Sequence, residues 1–197
     1  MDTLEIIIFP PYVLFGASEG AMLLPLVYEK INNKNSVVAM ISMGFGGLSW
    51  YESFRIISTT RSGIPQEWAE AFTDLLDTFN PEKTEFPNSF EEDYYGMTYR
   101  YFSSFMHIRP FDYYKNINIP ILFIHGRSDS NLPVESTAYI QENLPYKPFT
   151  YKYYPWAHQP ENSADMIQLR RDIARWIRET DKRAFQKGTL PAIRRVL

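Results

Sequence analysis

Cysteine is absent from this 197-residue chain. Without it there is no disulfide framework, no thiolate metal site and no cysteine nucleophile, while the redox compartment stays open. An excess of charge of one sign is missing too: 20 Lys+Arg stand against 23 Asp+Glu, a net −3. Nothing here has the basic footprint of a protein that binds nucleic acid or an anionic membrane. No apolar run approaches the ~20 residues of a membrane-spanning helix. Residues 1–10 have neither the basic start nor the small-residue cleavage site of a signal peptide. The expected location is therefore cytoplasmic, with an upstream signal on a longer precursor left open. Histidine is scarce, at three, and that scarcity becomes useful below. Aromatic residues are abundant, at 16%. With 45% hydrophobic and 22% charged residues the chain has the balance of a folded globular protein. Its length fits one domain with room for an insert.

The run Tyr12-Val13-Leu14-Phe15 predicts a buried strand that enters Gly16-Ala17-Ser18-Glu19-Gly20. Residues 21–30 then have helical spacing despite Pro25, which so near the helix start implies a kink at worst. Upstream, residues 4–9 amount to at most one extra strand. Val37 to Met43 is a second continuous apolar strand, ending in Gly44-Phe45-Gly46-Gly47. From Trp50 onward the pattern dissolves, and seventeen Phe, Tyr and Trp residues fall between Trp50 and Tyr114. Residues 66–79 keep a helical period behind Pro65, and a weaker helix is expected over 91–106. Residues 119–126 predict a strand, 134–144 a helix and 149–154 another strand. The last helix is the cleanest, with Met166, Leu169, Ile173, Trp176 and Ile177 on one face. This alternation predicts an α/β fold with a mostly parallel sheet. Its core spans 1–49 and 116–181, a lid insert occupies 50–115, and 182–197 is a basic tail, solvated or partner-bound.

Chemistry concentrates at Gly16-Ala17-Ser18-Glu19-Gly20. This is a Gly-x-Ser-x-Gly turn between a strand and a helix, the setting of an activated serine. The turn is sharp enough that bulky residues two positions to either side of Ser18 should collide with backbone, hence Gly16 and Gly20. It also places the hydroxyl at the positive end of a helix, where an oxyanion is favoured. A serine needs a base, and the base needs an orienting carboxylate. Of the three histidines, His107 lies in the aromatic insert and His125 ends a strand, whereas His158 sits in the loop after the last strand. The chain order serine, acid, histidine then selects Asp129, in the turn after the preceding strand.

With these residues in place, the sequence resembles the α/β-hydrolase superfamily, over its C-terminal portion. Residues 119–129 with Leu132-Pro133 resemble the strand, acid turn and following helix; 16–20 resemble the elbow, and Ala157-His158 the histidine loop. The resemblance implies Ser18 as nucleophile, His158 as general base, Asp129 as orienting acid and His125 as a structural residue. It implies a lid or cap over 50–115, no cofactor, and a small-molecule or peptide acyl substrate. The esterase, acyl-thioesterase and serine-peptidase-like branches fit equally well.

The pattern departs from the family in one respect. The elbow, at residue 18, follows the first strand here and the fifth in the family, so four strands have no counterpart. Glu19 supplies one oxyanion N–H, and the second donor, on a loop of that missing part, is absent. Losing such a donor costs about 10²–10³-fold in turnover. The elbow strand is also expected to be an exposed apolar edge, prone to self-association or to pairing with a partner chain. A fragment of a longer product, one half of a complex, and a non-catalytic homologue acting as an interaction module all fit. A nucleotide-binding α/β domain is disfavoured, because Gly44-Phe45-Gly46-Gly47 has no phosphate-loop lysine and reads as a strand exit beside the active site. Glu91-Glu92-Asp93 reads as a solvated trio, and no metal is expected.

Overall fold

A computed structural model describes residues 11–60 and 65–186. The strand weighed for residues 4–9 lies outside them. The chain runs β1 (Tyr12–Ala17), α1 (Glu19–Lys30), β2 (Val37–Met43), then an insert, then β5 (Ile121–Gly126), α6 (Glu135–Asn143), β6 (Phe149–Tyr154) and α7 (Ser163–Gln186). The four long strands are all parallel, in the order β1-β2-β5-β6. Their register is nearly level at one rim: Ala17 pairs with Met43, Met43 with Ile124, and Gly126 with Tyr154. The loops that leave these strands are thereby gathered along a single edge.

Continuous apolar runs suit a parallel sheet because both faces are covered. On one face Leu14, Met40, Ile121 and Phe123 pack with Leu24 of α1 and Ile140 of α6. On the other, Ala39, Ile41, Leu122 and Ile124 meet Leu169 and Trp176 of α7. β5 is buried along its whole length. Among the described residues β1 lies at the edge of the sheet, and Phe15 is 55% exposed.

Pro25 lies inside α1 and cannot donate to the carbonyl of Ala21 four residues back. That carbonyl instead accepts a long bond, 3.4 Å, from the hydroxyl of the fully buried Tyr114. The helix passes its proline because a side chain far along the chain satisfies the freed acceptor.

The insert holds α2 (Trp50–Thr60), α3 (Gln66–Thr78), a hairpin of β3 (Asp93–Tyr94) and β4 (Met97–Thr98), α4 (Tyr99–Phe105) and α5 (Phe111–Tyr114). Two differences from the sequence reading stand out. α2 begins where no helix was expected. Its start is a capping box, in which Ser49 N–H donates to Glu52 Oε2 (2.8 Å) and Glu52 N–H to Ser49 Oγ (3.1 Å). The helix expected over 91–106 is interrupted. Tyr95 (φ 52) and Gly96 (φ 76) form the two positive-φ positions of a hairpin turn, and the helix starts only at Tyr99. Inside the insert Phe54, Phe72, Phe79, Phe102 and Phe105 make an aromatic core that also takes in Ala21 and Met22 of α1. Among the described residues no helix is long and apolar enough to cross a membrane. None of them forms a group of three or more acidic or histidine side chains able to hold a metal.

Candidate active site

Ser18 sits between β1 and α1 with φ 53 and ψ −124, a region a residue with a side chain enters only under strain. Two sets of bonds hold it there. Its N–H donates to the carbonyl of Met43 (2.8 Å), and its own carbonyl accepts from Ala21 N–H (2.9 Å) and Met22 N–H (3.3 Å). Gly16 is required by the turn: a Cβ there would lie 2.3 Å from the Gly20 carbonyl oxygen. Gly20 itself is not, since a Cβ there would meet nothing within 4 Å. The collision expected on that side does not arise, because Gly20 is exposed and no described element packs over it.

His158 Nδ1–H donates to Asp129 Oδ2 at 2.8 Å, and its Nε2 lies 3.1 Å from Ser18 Oγ, positioned to accept the hydroxyl proton. The Asp129 bond places the imidazole proton on Nδ1 and leaves Nε2 free for the serine. Asp129 is fully buried. Its other oxygen accepts from the N–H groups of Asn131 and Leu132, both at 2.9 Å. Burial disfavours its charge, but hydrogen bonds from His125, His158 and Leu132 outweigh burial and hold the carboxyl well below its ordinary range. The bond His158 donates to Asp129 raises its own ionisation above the ordinary 6.5 against an opposing burial effect.

His125 is buried behind the acid. Its Nε2–H donates to the Leu132 carbonyl (3.2 Å) and lies 3.5 Å from Asp129 Oδ2, while Nδ1 meets the Thr137 hydroxyl at 2.8 Å. His107 is elsewhere, stacked on Phe86 inside the insert at 4.9 Å between ring centroids. Glu91, Glu92 and Asp93 are exposed. The first-turn N–H of Glu19 has no acceptor within its own helix, so it is free to donate to a bound anion.

Two glycines matter here: Gly44, which the sequence reading placed in a strand exit beside the active site, and Gly126, to which it gave no role of its own. Gly44 leaves β2 at φ +79, and a Cβ there would stand 3.3 Å from His158 Cε1 and 3.8 Å from Ser18 N. Gly126 ends β5, and a Cβ there would lie 1.8 Å from the Ala157 carbonyl oxygen, so the histidine loop can rest on that strand end only over a glycine. Both glycines end apolar strands, which is the signal the sequence offers for them.

No family model matches the chain, and no curated protein matches it. Solved structures do. It is similar to Est1E from Butyrivibrio proteoclasticus with TM-score 0.56 and 16% identity, covering 89% of this chain and 64% of that one. It is similar to an esterase from Exiguobacterium antarcticum with TM-score 0.53 and 12% identity, covering 86% and 68%. Acetyl xylan esterase 1 from Thermoanaerobacterium matches at TM-score 0.47 and 19% identity, over 80% of this chain and 43% of that one. The chain thus spans roughly half to two thirds of the length of these esterases. With its parallel sheet and the rim its loops share, it has a partial α/β-hydrolase fold.

Proposed function

We propose that this chain is a serine hydrolase that cleaves an ester, thioester or amide through an acyl-enzyme. Ser18 Oγ attacks the substrate carbonyl carbon as its proton passes to His158 Nε2. Asp129 holds the imidazole and stabilises the imidazolium. The resulting oxyanion is received by the Glu19 N–H at the positive end of α1. The imidazolium then protonates the leaving group, and water repeats the sequence on the acyl-serine. The aromatic insert serves as an apolar roof over a small acyl substrate. One observation carries this reading: an unbroken hydrogen-bonded line from Ser18 through His158 to Asp129, made by groups 140 and 29 residues apart. A fluorophosphonate probe tests it. Labelling of the wild type that disappears in Ser18→Ala is the expected result.

A second reading has its own support. Among the described residues β1 lies at the sheet edge, Phe15 is exposed and Gly20 has no neighbour over it. These features favour a non-catalytic homologue that pairs with itself or with a partner chain along β1. A wild type that takes no label, yet sediments as a complex, supports that alternative.

A further inference from the structure

A polar contact joins the insert to the residue that follows Ser18. Tyr101, on α4, donates its hydroxyl proton to Glu19 Oε2 at 2.5 Å, across 82 residues of sequence. Glu19 is the first residue of α1, so its carboxylate sits at the same helix end that would receive an oxyanion. Two negative charges at one helix terminus oppose each other. Burial, then the bond to Glu19 and its charge, all push the Tyr101 hydroxyl upward, so it remains a donor. Its ring is fixed against Phe105 at 4.5 Å and Phe102 at 5.3 Å.

We propose that Tyr101 is a positioning residue that holds and partly neutralises the Glu19 carboxylate, keeping the neighbouring Glu19 N–H effective toward the oxyanion. The inference rests on Ser18 being the nucleophile. It adds that the insert tunes the rate of chemistry as well as covering the site. Without the phenol, an unpaired carboxylate faces the developing negative charge. Without the carboxylate, the phenol has nothing to correct.

The experiment is a double-mutant cycle on the full chain, using p-nitrophenyl acetate and the second-order rate of fluorophosphonate labelling. Tyr101→Phe keeps the ring and should lower kcat and the labelling rate about ten-fold, with KM nearly unchanged. Glu19→Ala should lose less. Adding Tyr101→Phe to Glu19→Ala should cost nothing further, because the tyrosine acts only through that carboxylate. An unaltered rate in Tyr101→Phe overturns the proposal, as does an equal loss in both backgrounds, which would mark a packing role. Should Tyr101→Phe fail to fold, Glu19→Gln removes the charge from the other partner, and a loss of labelling rate of about ten-fold in that variant overturns the proposal. A wild type that neither labels nor hydrolyses overturns the serine-hydrolase reading and this inference with it. A labelled wild type with an uncoupled cycle overturns this inference alone.

Discussion

β5 and β1 both deliver a candidate site residue at the same rim, yet they are built very differently. β5 has a partner on each side and not one exposed residue. The carboxylate in the turn that follows it is bonded by two backbone N–H groups and one histidine, with a second histidine at 3.5 Å. Among the described residues β1 has a partner on one side only, and the serine after it is kept at a positive φ by its bond to the end of β2 and the first turn of α1. The proposed orienting group thus follows a strand paired on both sides, and the proposed nucleophile follows a strand at the edge of the described sheet. Support matters at the elbow because strain there persists only while neighbours enforce it.

That contrast can be broken at the strong end first. Asp129→Asn removes the charge that fixes the His158 proton, and kcat should fall about 10⁴-fold. The pH profile should move with it. Since the acid raises His158 above 6.5, wild-type kcat/KM should rise with pH through an ionisation above that value, and the onset should shift lower in the variant. The sign for stability is opposite. The raised folded value contributes stability fully present below 6.5, and it is lost as pH climbs through the folded value. A wild-type midpoint below 6.5 would contradict the upward shift that the Asp129 bond implies.

A smaller effect separates the two strands by packing. Phe123 of β5 is fully buried against Tyr114, Phe149 and Tyr151, so Phe123→Ala should cost about 3–5 kcal/mol in urea unfolding. Phe15→Ala on β1 should change stability by no more than about 0.5 kcal/mol, because that ring is already largely in water. A loss of 2 kcal/mol or more at Phe15 would mean that something covers this face in solution.

Much of the β-sheet was legible because β2 and β5, buried for most or all of their length, read as continuous apolar runs that each end at a glycine. The three candidate site positions could be singled out because so few histidines compete and because the order serine, acid, histidine restricts the choice. The structure puts their side chains within hydrogen-bond distance. The insert was harder. Its core is a mesh of rings contacting from several directions, so aromatic residues appear on every face and periodicity fails. Even so, Ser49 and Glu52 carried the start of α2 in plain view, and Tyr95-Gly96 is a turn pair. Tyr101 could not have been found, because nothing local to residue 101 reports a carboxylate 82 positions earlier.

The proline in α1 has a consequence for how such a chain can drift. Residues 25 and 114 behave as a lock and its key. A lineage that regains an ordinary residue at 25 closes the helical ladder and releases the phenol from its duty. One that discards the phenol first strands a carbonyl in an oily interior, so the order of the two replacements matters more than either one.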